Sequence, residues 1–84
     1  MLNEAEMKRL RWRCTHRAQR EIDLLLENFL DKCFSKLNAE QESAFVILAE
    51  MEDIELWQLL MGKRESQDHV QRQVLSMLRN ARAV

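Results

Sequence analysis

The sequence contains one glycine, no proline and no tyrosine in 84 residues. That leaves too few turn-formers for the succession of hairpins on which an all-β fold depends. Its two cysteines, Cys14 and Cys33, are too far apart for a Cys-x-x-Cys pair and too few to staple a small secreted scaffold. Both are read as free thiols in a reducing compartment. No apolar run approaches the roughly 18 residues of a membrane span, and nothing after Met1 resembles the charged and apolar regions of a secretory signal. A cytoplasmic protein without membrane insertion is expected. The constellations of catalysis are missing as well. There is no Gly-rich phosphate loop or nucleophile elbow, and neither His16 nor His69 has a Cys or carboxylate at a recognised ligand spacing. Cys14 and His16 do not form a nucleophile–base pair, because residues two apart on a helix face different directions. Neither enzyme activity nor a metal site is expected.

What is present belongs to a folded helical globule. Hydrophobic residues make up 46% of the chain and charged residues 32%, a balance unlike that of disordered tails. Leu, Glu, Arg, Gln, Met and Ala are abundant and favour helices. The composition predicts an all-α fold, a single domain over residues 1–84 built as a bundle of about five helices. A core this small leaves only a few kcal/mol of net stability, so helix packing must hold the chain together.

Charge is distributed unevenly although the net value is −1. From Lys8 to Arg20 there are six basic residues (Lys8, Arg9, Arg11, Arg13, Arg17, Arg20) and no acid, whereas Glu21 to Met61 carries ten acids against Lys32 and Lys36. Arg11, Arg13, Arg17 and Arg20 are therefore expected to form an exposed basic surface that steers an acidic partner.

Helical periodicity is clearest where Ile22, Leu25, Leu26, Phe29, Leu30, Cys33, Phe34 and Leu37 fall on one stripe, opposite Asp23, Glu27, Asn28, Asp31 and Lys32. Upstream, Met7, Leu10, Cys14 and Ala18 stay nearly in phase with that stripe. A single helix to Phe34 would expose much of its apolar face, so two helices meeting between Cys14 and Ala18 are expected. Asn38 with Gln41 has capping-box spacing and predicts a helix from about Ala39 to Met51 with Ala44, Phe45, Ile47, Leu48 and Met51 inward. Asp53 reads as the N-cap of a short helix through Ile54, Leu56, Trp57, Leu60 and Met61, with Gly62 as its stop. Ser66 reads as the cap of a last helix that buries Val70, Val74, Met77, Leu78 and Ala81, with Arg79 and Arg82 complementing its C-terminal dipole.

Arg11-Trp12-Arg13 interleaves an aromatic with cations, as in some nucleic-acid-binding segments. The sequence pI near 6.1 argues against general nucleic-acid binding. Downstream, the segment His16-Arg17-Ala18-Gln19-Arg20-Glu21-Ile22-Asp23-Leu24-Leu25-Leu26 resembles the signature of the succinate dehydrogenase assembly factors, whose pattern is Arg-Gly-x-x-Glu followed by an apolar residue, Asp and an apolar run. The likeness extends to the preceding basic-aromatic stretch, to Leu37-Asn38-Ala39-Glu40-Gln41, and to Leu48-Ala49-Glu50 with Asp53-Ile54-Glu55-Leu56-Trp57-Gln58-Leu59-Leu60-Met61-Gly62. Ala18 stands where that family has glycine, and the spacing from Trp12 to the motif is one residue longer.

The resemblance implies a five-helix bundle that binds the flavoprotein subunit of succinate dehydrogenase, and of the related fumarate reductase, and promotes its covalent FAD attachment. FAD then belongs to the partner, and no cofactor is bound stably by this chain. By position it implies Arg17 and Glu21 as principal partner-binding residues, with Ala18, Asp23, Trp12, Arg13 and Arg20 beside them. Ala18 is expected to have helical φ and ψ, the family's glycine serving close approach by the partner. Read without the resemblance, Arg17 and Glu21 are an ordinary surface pair on a helix. Two other classes of function fit the residues: an antitoxin-like helical regulator and a nucleic-acid-binding helical module.

Overall fold

Asparagine side chains start two of the helices by the same device. In the computed structural model, Asn3 Oδ1 accepts from the Glu6 amide at 2.8 Å while Glu6 Oε1 accepts from the Asn3 amide at 3.0 Å. Asn38 and Gln41 repeat the exchange at 2.8 and 3.1 Å. Each box satisfies two N–H groups that the helix cannot reach itself. The structure describes residues 2–17 and 19–82. The expectation for Ala18 lies outside them.

Among the described residues the elements are α1 (Glu4–Thr15), α2 (Arg20–Lys32), a 3₁₀ turn (Phe34–Lys36), α3 (Ala39–Ala49), α4 (Asp53–Leu60) and α5 (His69–Arg82), with no strand. The all-α class and the five helices are as expected, and the stripe is divided between two helices, with α1 ending at Thr15 and α2 beginning at Arg20, later than the expected junction between Cys14 and Ala18. Helix α5 packs on α2, α3 and α4, α1 lies against α2 and α3, and α2 meets α3 through the Phe29–Phe45 pair.

The core forms where the stripe of α2 meets α3 and α5. Ile22, Leu26, Phe29, Phe45, Leu48, Val74 and Leu78 are fully buried. Phe29 and Phe45 stack with centroids 5.0 Å apart, and Phe34, carried inward by the 3₁₀ turn, meets Phe45 edge-on at 5.6 Å. Both geometries suit the ring quadrupole. Gly62 ends α4 with φ +78°. The Gly62 amide donates to Leu59 O and the Lys63 amide to Gln58 O, the paired bonds of a Schellman motif that glycine enters without strain.

Four local expectations are corrected. Glu52, not Asp53, occupies the N-cap position of α4, because the Asp53 carboxylate is engaged by Arg17 and the Gln19 amide. Asp68, not Ser66, caps α5: its Oδ1 accepts from the amides of Val70 at 2.8 Å and Gln71 at 3.1 Å. Ser66 sits two residues earlier, accepting from the Asp68 amide. Ile47 faces outward at 52% exposure, as does Ile54 at 69%, Met51, Trp57, Val70 and Met77 are only partly buried, and Leu59 and Leu75 join the core. Arg79 turns away from the end of its own helix and donates to Leu60 O at 3.0 Å and Leu59 O at 2.6 Å, capping α4 instead.

Phe45 lies between two rings and has no solvent path, so Phe45→Ala is expected to cost about 3–5 kcal/mol, enough to unfold most of the protein. Asn38→Ala, which removes one cap, is expected to cost about 1 kcal/mol. Urea unfolding followed by circular dichroism checks both: Asn38→Ala should shift the midpoint at constant slope, and an unchanged midpoint would remove the cap from the account.

Candidate functional site

The residues marked by the sequence motif converge on the turn between α1 and α2. Thr15 and His16 finish α1 by bonding backward to it. Thr15 Oγ donates to Arg11 O at 2.9 Å, and His16 Nδ1 lies 2.8 Å from Trp12 O. A carbonyl only accepts, so His16 carries its hydrogen on Nδ1. The ring stacks on Trp12, with centroids 4.4 Å apart and planes 9° from parallel. Trp12 remains 59% exposed, a flat apolar surface held in place by its neighbour.

Arg17 follows, and here the structure departs from the expected exposed basic surface. Its side chain is 1% exposed. Nε donates to Asp53 Oδ1 at 2.5 Å, Nη1 donates to Ala49 O and Nη2 to Met51 O. One guanidinium thus meets a carboxylate at the first turn of α4 and two carbonyls at the end of α3. Both placements also suit the helix dipoles, cation at a C-terminus and acid at an N-terminus. The Arg17 amide donates to Asp23 Oδ1 at 3.0 Å, and the Gln19 amide to Asp53 Oδ2 at 3.2 Å. The α1–α2 turn is therefore tied to the α3–α4 turn by side chain and backbone together.

The other motif residues surround this clasp. Arg20 and Glu21 are exposed, and Asp23 is half-buried because its carboxylate faces inward to the Arg17 amide. Arg13 is half-buried, and its Nη2 donates to Glu50 O at 3.3 Å, adding a second arginine to the end of α3. Arg11 pairs with Asp31 at 2.8 Å across α1 and α2 while both stay about half exposed, a contact worth under ~1 kcal/mol. Beside the clasp an open groove is lined by Gln19, Glu52, Asp53, Ile54 and Glu55. The surface next to the turn is thus mixed, basic at Arg20, acidic at Glu52 and Glu55, and apolar at Ile54 and Trp12. The sequence reading missed Asp53 as Arg17's partner, and nothing local signals a contact spanning 36 positions.

Cys14 lies under the turn with no solvent exposure. Burial pushes its thiol from 9.0 up to about 12, against the opposing pull of Arg17, Arg11 and Arg13. Among the described residues no group of three or more His, Cys, Asp or Glu is placed to hold a metal ion, and no helix is long and apolar enough to cross a membrane.

These features define a small all-α bundle whose distinctive chemistry is an arginine-clasped turn between its first two helices. Residues 8–82 match the protein family described as the flavinator of succinate dehydrogenase, and the chain belongs to that family. The FAD assembly factor SdhE of Xylella fastidiosa (strain Temecula1) is 36% identical over 64 residues, covering 76% of this chain and 65% of that protein, just under two thirds of its length. SdhE of Vibrio vulnificus (strain YJ016) is 34% identical over 68 residues, 81% of this chain and 78% of its own. SdhE of Pseudomonas aeruginosa is 33% identical over 78 residues, 93% and 92% of the two chains. No solved structure matches the chain.

Removing the guanidinium takes a charged donor from two carbonyls and from the partly buried Asp53 carboxylate, which keeps the Gln19 amide. Arg17→Ala is therefore expected to lower stability by about 3 kcal/mol. Arg17→Lys should recover little, because a single ammonium does not span three acceptors in a plane. Denaturant titration of both variants is the check, and a native midpoint for either would break the clasp account.

Cys14 generates a pH prediction with a definite sign. Below about pH 9 the thiol is protonated whether the chain is folded or unfolded, and the full stability is present. Between 9 and about 12 the unfolded chain ionises while the folded one does not, so stability falls as pH rises through that window. Thermal melts from pH 8 to 11 should show a decline that Cys14→Ala, compared with its own neutral-pH value, lacks. At pH 8 a thiol reagent should modify half-buried Cys33 well before Cys14, which should react only on unfolding.

Proposed function

We propose that this protein is a non-catalytic, cytoplasmic assembly factor that binds the flavoprotein subunit of succinate dehydrogenase, and of the related fumarate reductase, and promotes its covalent FAD attachment. FAD and the reacting groups belong to the partner. The chain supplies a shaped surface that favours a flavinylation-competent conformation. The observation that carries this reading is the clasped turn itself: Arg17 is drawn inward onto Asp53, Ala49 and Met51, and the outward residues of the same segment are left displayed on a fixed frame.

The partner-facing set is Trp12, Arg20 and Glu21, flanked by Arg13 and Asp23, with Ala18 at the family's glycine position. Arg17 belongs to the same site through the frame it holds. Arg20 and Glu21 offer opposite charges one residue apart at the start of α2, and Trp12 offers an aromatic face of the type enriched at interface centres. The membership of the family and the relatives named for FAD assembly support the assignment of partner and outcome.

The test is covalent FAD incorporation into the flavoprotein, read by in-gel flavin fluorescence, in a strain lacking the native protein and supplied with variants. Trp12→Ala, Arg20→Ala and Glu21→Ala should each melt within a few degrees of the wild type yet reduce flavinylation, and the triple variant should abolish it. Ala18→Gly should raise it. Undiminished flavinylation by the folded triple variant would move the functional surface elsewhere.

A further inference from the structure

At the opposite end of α4 from Asp53, three arginines line one pocket. Arg64 follows the Gly62 turn, and Arg72 and Arg79 project from α5; Gly62, Glu65, Ser66 and Leu75 complete the wall, enclosing about 320 Å³. Two of the guanidiniums are anchored. Arg72 Nη1 donates to Ser66 O at 3.1 Å, and Arg79 donates through Nε and Nη2 to Leu60 O and Leu59 O. An anchored guanidinium has five N–H donors, and these bonds occupy one in Arg72 and two in Arg79. Among the described residues no carboxylate forms an ion pair with any of the three arginines.

The charge arithmetic favours a dianion. Three guanidiniums less the Glu65 carboxylate leave +2 in the lining. The C-terminus of α4 contributes about −0.5, which leaves roughly +1.5. A phosphoryl group carries about −1.5 to −2 near neutral pH and presents three acceptor oxygens to such forks. The volume lies at the low end of small-molecule sites, about 300–1,000 Å³, and exceeds the need of a lone ion. We propose that this pocket binds the phosphoryl end of a small phosphorylated molecule, with Arg64 and Arg72 as the principal donors and Arg79 holding the floor through α4. The α4 helix has eight residues, so the pocket lies roughly 12 Å from the clasped turn. None of its lining residues belongs to the proposed flavoprotein surface.

The test is a titration of the ¹⁵N-labelled full chain with sodium pyrophosphate and, separately, with adenosine diphosphate, at constant ionic strength. Saturable shifts are expected at the Gly62, Glu65 and Ser66 amides and at the Arg72 and Arg79 Nε–H signals. Saturation by both probes supports a nucleotide as the source of the phosphoryl group, and saturation by pyrophosphate alone supports free phosphates. Arg64→Gln and Arg72→Gln, both at exposed positions, should each weaken binding at least tenfold, with Arg20→Gln as the unaffected control. Linear, unsaturable shifts, shifts centred on residues 8–20, or undiminished binding by the Arg64→Gln, Arg72→Gln double variant would overturn the proposal.

Discussion

The structure depends on one enclosed guanidinium. Arg17 leaves the end of α1, crosses to a turn 32 to 36 positions later in the chain, and there meets Ala49 O, Met51 O and Asp53 together. A buried charge is costly unless its donors are matched, and the planar fork with its three acceptors provides the match. The consequence is structural before it is functional. The last carbonyls of α3 have a partner, the first turn of α4 has its acid fixed, and the turn between α1 and α2 cannot swing. The backbone bonds from Arg17 to Asp23 and from Gln19 to Asp53 close the same arrangement from the other side.

Helix identity was legible from the sequence because one-dimensional signals determine it. The α2 stripe appears in three dimensions as a row of buried residues from Ile22 to Phe34, Asn38 caps α3 through Gln41, and Gly62 closes α4 with positive φ. The failures have a shared cause. Asp53 and Ser66 were assigned by local capping preference, and each lost to a competitor: Asp53 to a guanidinium distant in sequence, Ser66 to Asp68 two residues on. Ile47 and Ile54 carry apolar side chains at positions whose orientation depends on which neighbours α3 and α4 acquire, and periodicity over eight to eleven residues does not fix that. At Arg17 the sequence gives no sign of the inward direction that the side chain takes. Exposure is a property of the packed fold, and a basic residue in a basic stretch reads as solvated until its acceptors are in place.

The chain manages without disulfides or proline by fixing its shortest α-helix at both ends. Eight residues are too few for a stable isolated helix. The N-terminal turn of α4 is held by Arg17, and its C-terminal carbonyls by Arg79 and the Schellman bonds at Gly62. Buried Leu56, Leu59 and Leu60 supply the apolar side of the same helix. Two arginines, Arg17 from the α1–α2 turn and Arg79 from α5, thus perform at termini what intrinsic propensity cannot over so short a span.

That anchoring bears directly on recognition. Ile54 and the carboxylates of Glu52 and Glu55 stand on or beside the first turn of α4, and Gln19 from the clasped turn shares their groove. Because both strands of the clasp are tied to this turn, the backbone presenting these groups is ordered before any partner arrives. Binding to such a surface spends its free energy on contact and desolvation instead of on ordering backbone. A helical bundle of 84 residues has little area to offer a partner, and a preorganised surface is the physical means by which a small area becomes selective. Arg17, whose side chain is almost wholly enclosed, thereby fixes the backbone from which the exposed residues of the same turn project.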